Sequence, residues 1–169
     1  AILFSDILLV PHFLGQEVIF KKGKGPILDN IDINQNFFNK KINLQKFTSI
    51  KGAISKINKL ICPEKDLIGF CGAPWTLACY MIEGGTSKDY AKTRKFLWND
   101  KSLFIKLVNK LTNECADFLE FQFLAGATVL MIFDSWSHMI PNSYWVQFGI
   151  EPTRLIVEKL RKKNVKCPV

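Results

Sequence analysis

The stretch LIGFCGAPWTLACYMIEGG (residues 67–85) decides the fold. Its first four residues are apolar without alternation, the pattern of a short strand buried on both faces, and Gly72 and Pro74 then shape a strand-to-loop turn. Runs of the same kind lie at residues 1–4 and 127–133, with a fourth at 165–169. Helical patterns separate them. Residues 100–125 put Phe104, Leu107, Val108, Leu111, Cys115, Phe118, Leu119 and Gln122 on one face, with Asn99 or Asp100 to cap the start and Gly126 to end it. Residues 46–61 turn Phe47, Ile50, Ile54, Ile57 and Leu60 inward, and residues 152–163 begin with a proline suited to a first helical turn. Residues 17–42 differ. EVIFKKGKGPI (17–27) has the alternation and turn residues of a hairpin, and an Asn-rich loop follows, so this segment is an excursion from a single domain spanning 1–169.

Strands alternating with helices imply a parallel sheet built with right-handed crossovers. Both ends of the chain fall within an apolar run. This favours part of a (β/α)8 barrel, which typically needs ~250 residues, over a complete doubly wound domain. The expected fold is α/β: an internal fragment of a TIM barrel with about four parallel strands and their helices.

Composition narrows the function. The net charge is +8, yet arginine occurs only at Arg94, Arg154 and Arg161, and the lysines are scattered along the chain. A nucleic-acid surface concentrates basic residues on one face and uses arginine to read base edges. A diffuse basic field instead suits capture of a polyanionic small molecule. No apolar run reaches the roughly 18 residues of a membrane span, and the expected setting is the cytoplasm. The five cysteines, Cys62, Cys71, Cys79, Cys115 and Cys167, are odd in number and form no CxxC pair, as expected of free and mostly buried thiols.

In parallel α/β folds ligands bind beyond the carboxyl ends of the strands. The residues there are Ser5 and Asp6 after the first run, Cys71 to Pro74 leading to Tyr80 after the second, and Asp134, Ser135 and Trp136 after the third. Each has an ordinary alternative: Asp6, Asp134 and Ser135 as caps, Tyr80 as a core residue with a satisfied hydroxyl. Cys71 and Cys79 are too far apart for a structural zinc site, and His12 and His138 stand alone, so no metal is expected. Neither GxGxxG nor GxxxxGK[ST] is present. What remains is a pocket wall, with Phe70, Trp75 and Tyr80 offering flat surfaces to a large planar ligand.

The segments FSDILLVPHFLG (4–15), KGKGP (22–26), IGFCGAPWTLACYMIEGG (68–85), IFDSW (132–136) and IEPTRLIVEKLR (150–161) together resemble the uroporphyrinogen decarboxylase family, over essentially the whole chain. The resemblance implies a (β/α)8 barrel that forms a homodimer. It also implies removal of carbon dioxide from the four acetate arms of uroporphyrinogen III to give coproporphyrinogen III, in tetrapyrrole biosynthesis, with neither metal nor organic cofactor. It places Asp6 as the catalytic carboxylate beneath the macrocycle, facing the pyrrole N–H groups. Tyr80 and Ser135 become contacts for substrate carboxylates, and Phe70 lies against the ring. The family's RQAGR-type arginine motif and its late histidine have no counterpart within these residues, so the segment alone is expected to be inactive. SHMIPN (137–142) departs from the family's small-residue SWAG pattern, and His138 takes no role. Two rivals are a corrinoid- or thiol-linked methyltransferase of the same superfamily, which would need a zinc site, and a basic nucleic-acid-binding module, which would bind in a strongly salt-dependent way.

Overall fold

Continuous apolar strands need cover on both faces, and the computed structural model, which describes residues 1–23 and 25–169, shows how the chain supplies it. In order the elements are α1 (Leu9–Phe13), β1 (Val18–Lys21), β2 (Gly25–Leu28), α2 (Gln35–Asn39), α3 (Thr48–Leu60), β3 (Ile68–Gly72), α4 (Pro74–Glu83), α5 (Ala91–Asn99), α6 (Lys101–Ala125), β4 (Val129–Phe133) and α7 (Glu151–Lys162). Strands β3 and β4 pair in parallel, Ile68 opposite Val129 through Gly72 opposite Phe133. Strands β1 and β2 form the antiparallel hairpin. Lys24 lies outside the described residues.

Two of the four expected parallel strands are reduced to single contacts. Residues 1–4 make one parallel bridge, Ile2 to Ile68, in which Leu3 N–H donates to the Ile68 carbonyl at 3.0 Å and Ile68 N–H to the Ala1 carbonyl at 2.8 Å. Beyond Leu3 the segment leaves the sheet, and the Phe4 side chain is 100% exposed. Residues 165–169 contribute one bond, from Leu130 N–H to the Pro168 carbonyl at 2.9 Å. The spatial order nevertheless follows the chain: first segment, β3, β4, last segment.

Helix α6 is the central cover. Asp100 caps it by accepting from Leu103 N–H at 2.9 Å, and Gly126 ends it at φ 116°, a left-handed conformation open to glycine. The residues expected on its inner face, Phe104 to Gln122, are all buried. Helices α3 and α7 form close to their expected limits, although Leu60, at the last position of α3, projects into solvent. The strand-to-loop turn expected after Gly72 is a strand-to-helix turn. Pro74 opens α4, and eight of its ten residues are buried, so it has no polar stripe to announce it. Trp75, expected on a pocket wall, is 0% exposed and packs against Phe148 and Phe104 at centroid distances of 6.0 and 5.7 Å. It is a core residue.

Where the first segment departs, Phe70 loses a strand neighbour on that side. The buried Gln122 amide replaces it, accepting from Phe70 N–H at 2.9 Å and donating to the Phe70 carbonyl at 2.8 Å. Gly69 permits this approach, since a Cβ there would stand 2.9 Å from Gln122 Oε1. Replacing Gln122 by Met would orphan two buried backbone groups, at about 1–3 kcal/mol each. Urea denaturation of Gln122→Met is expected to show a lowered midpoint with an unchanged slope; an unchanged midpoint would rule out this support.

Candidate active site

The in-register pairing of Ile2, Ile68 and Val129 brings the carboxyl ends of three segments to one edge. Asp6, the α4 turn and residues 134–136 all leave from that edge. Asp6 is partly buried, and its Oδ1 accepts from Leu8 N–H at 2.7 Å at the entry to α1. This bond closes a local turn just ahead of α1 and does not cap the helix, while Oδ2 makes no hydrogen bond among the described residues. A cavity of about 170 Å³ opens beside Asp6, lined also by Leu8, Leu9, His12 and, from the hairpin, Val18 and Phe20.

Tyr80, on α4, is 8% exposed. Burial pushes its hydroxyl pKa up, and the negative charge of Asp6 adds to the effect. Its ring lies 6.0 Å from that of Trp136, the neighbour of Ser135. Ser135 is exposed and its hydroxyl makes no hydrogen bond among the described residues. Phe70 is buried in β3, with its ring edge-to-face to Phe133 at 5.3 Å. The structure thus brings Asp6 within electrostatic reach of Tyr80, and Tyr80 beside the 134–136 loop. Phe70 lies further back in the sheet, and Ser135 stands at the solvent edge.

Sequence patterns alone did not single out the polar group that ties these pieces together. Thr76 Oγ1 donates to Asp134 Oδ1 at 2.7 Å and accepts from Trp136 N–H at 3.0 Å, while Trp75 Nε1–H donates to the Trp136 carbonyl at 3.0 Å. The available signal was spacing: Thr76 and Tyr80 are four residues apart and share a helix face. Around them lie Tyr90, left-handed at φ 51° with its ring 5.0 Å from Trp136, and Cys79. Burial raises the Cys79 thiol pKa, with Asp134 adding to it, so this cysteine stays protonated and is a poor nucleophile. The Tyr90 hydroxyl and Trp136 Nε1 are buried without hydrogen-bond partners among the described residues. His138 is exposed on the turn after β4. Among the described residues no three His, Cys, Asp or Glu side chains gather as a metal-ligand set. Among these residues no helix is long and apolar enough to cross a membrane.

Residues 1–169 match the family described as Uroporphyrinogen decarboxylase (URO-D). A uroporphyrinogen decarboxylase of Gluconobacter oxydans (strain 621H) is 39% identical over 171 residues, covering 100% of this chain and 48% of that protein. One of Rickettsia conorii (strain ATCC VR-613 / Malish 7) is 40% identical over 170 residues, covering 100% of this chain and 49% of that protein. Among solved structures, a methyltransferase from Methanosarcina mazei superposes with a TM-score of 0.72 at 15% identity, covering 94% of this chain and 48% of the other. That likeness carries the fold alone. The chain spans about half the length of the curated relatives it matches.

Burial raises the pKa of Asp134 above its ordinary 3.8, against the opposing hydrogen bond from Thr76. A raised carboxyl holds its proton more tightly in the folded chain than in the unfolded one. Its stabilising contribution is therefore complete below pH 3.8 and is lost as pH rises through the folded value. Asp134→Asn keeps an acceptor for Thr76 and cannot ionise. The stability of the wild-type chain relative to this variant is expected to fall across that window in a series of urea titrations; a difference that stays flat with pH would contradict the buried-acid assignment.

Proposed function

The chain belongs to the uroporphyrinogen decarboxylase family, and from that premise we propose that it supplies about four strands of a (β/α)8 barrel that converts uroporphyrinogen III to coproporphyrinogen III. The supporting observation is the match along the whole chain to uroporphyrinogen decarboxylases at 39 and 40% identity. Asp6 fits the part because it stands at the carboxyl edge of the sheet, lines a cavity and keeps one oxygen free of hydrogen bonds among the described residues. The working assembly is a homodimer in the cytoplasm, and residues 1–169 form one part of its barrel domain.

The chemistry needs an electron sink. A proton added to a pyrrole ring makes the ring cationic. The bond between the acetate methylene and its carboxylate then breaks, carbon dioxide leaves, and the electron pair flows into the ring. Protonation of the methylene carbon gives the methyl group, and loss of the ring proton restores aromaticity. Asp6 accepts hydrogen bonds from the pyrrole N–H groups and offsets the developing positive charge. Tyr80 and Ser135 donate to substrate carboxylates, and Phe70 backs the macrocycle from the sheet. Each donor reads an anionic arm by a hydroxyl, while the net charge of +8 favours the approach of a polyanion.

A unit charge about 4 Å from the cationic ring is worth ~4 kcal/mol at an effective dielectric of ~20, about a thousandfold in rate. Asp6→Asn keeps an oxygen to accept from Leu8 N–H in the turn before α1, a role Asn and Asp share. In the full-length protein this variant is expected to lose turnover by up to about a thousandfold, with its thermal unfolding little changed. Near wild-type decarboxylation would remove Asp6 from the mechanism. Methyl transfer in place of carbon dioxide release would favour the methyltransferase alternative.

A further inference from the structure

We propose that Thr76 is a positioning residue, which holds the 134–136 loop, and Ser135 at its centre, against the helix face that carries Tyr80. The link to catalysis rests on the decarboxylase reading above; the holding itself rests on contacts alone. Thr76 is 0% exposed, so its hydroxyl cannot meet a substrate. Its two hydrogen-bond partners, the Asp134 carboxylate and the Trp136 N–H, flank Ser135 on either side. A threonine hydroxyl has one proton to donate and lone pairs to accept with, so a single side chain serves both bonds.

The loop has few other means of holding its shape. Past Phe133 the β3–β4 ladder ends with Ala73 N–H donating to the Phe133 carbonyl at 2.8 Å. Main-chain turns run from Ser137 N–H to the Asp134 carbonyl at 3.2 Å and from Met139 N–H to the Trp136 carbonyl at 3.0 Å, and neither reaches α4. The Ser135 side chain anchors to nothing among the described residues. Its location is therefore inherited from its neighbours, and these are fastened to the first turn of α4 through Thr76 and, at the Trp136 carbonyl, through Trp75. Thr76 and Tyr80 sit one helical turn apart on the same face. Thr76, with Trp75 beside it, thus sets the separation between the two residues proposed to contact substrate carboxylates, although they come from different elements.

The test uses the full-length protein and the pair Thr76→Val, which keeps the shape without the hydroxyl, and Thr76→Ser, which keeps the hydroxyl. Misplacing a contact group by about 1 Å can cost ~100-fold. Thr76→Val is expected to lower kcat/KM by roughly 10- to 100-fold, with Thr76→Ser restoring most of it. In a Ser135→Ala background Thr76→Val is expected to add no further loss, because its effect passes through Ser135. Hydrogen exchange at the Trp136 amide is expected to speed up in Thr76→Val but not in Thr76→Ser. Additive losses in the double variant, or no rescue by serine, would overturn the proposal. If the wild-type protein does not decarboxylate, the decarboxylase reading fails by itself and amide exchange decides the holding role. Lost protection in Thr76→Val alone supports that role, and unchanged protection overturns it.

Discussion

The parallel pairing of β3 with β4, residue for residue from Ile68 and Val129 to Gly72 and Phe133, is the constraint on which the site depends. Parallel strands cannot be joined by a tight turn, so the chain must cross back over the sheet. It does so through α4, α5 and the long α6, and that crossover provides the apolar cover the strands require. Because the pairing is in register, both strands end at the same edge. The first segment, bridged to Ile68, ends there too. Three loops distant in sequence become neighbours through backbone hydrogen bonding alone.

Polar groups in this apolar setting are few, and most are engaged. Gln122 occupies the backbone of Phe70, and Thr76 holds Asp134 and Trp136. Gln16 Nε2 donates to the carbonyls of Asp29 and Met81, tying the hairpin to the end of α4. Glu83 accepts from both the amide and the hydroxyl of Thr93, joining α4 to α5. A buried polar group is costly unless paired, so these bonds define one arrangement of the elements around the strand ends. Against that background the Asp6 oxygen and the Ser135 hydroxyl that are free among the described residues stand out. Both lie at the open edge.

Legibility followed periodicity and capping. Helix α6 was readable because a Gly stop, an Asp cap and an apolar stripe agree in one segment. Helix α4 was not, because a helix buried on every side has no stripe, and its Gly and Pro residues suggested only a turn. The strand assignments at residues 1–4 and 165–169 were right about apolar character and position beside the sheet. Ladder length, however, depends on partners in space, and the exposed Phe4 shows where pairing of the first segment stops. For the site, the positions past the strand ends include Asp6, Tyr80, Asp134 and Ser135, and the family resemblance implied roles for Asp6, Tyr80 and Ser135. Neither singled out Thr76, whose importance comes from two atoms about 60 residues away.

By itself the sequence determined the α/β class, the long crossover helix α6, the family and the candidate carboxylate, since these follow from local periodicity, capping chemistry and motif order. Tertiary structure alone decided which polar atoms meet. It put Trp75 in the core rather than on a pocket wall, replaced a missing strand at Phe70 with the Gln122 amide, and fastened the Ser135 loop to α4 through Thr76. The physical reason is that hydrogen bonds between distant segments depend on directions and distances accurate to a few tenths of an ångström. Those are set by packing and leave no periodic trace along the chain.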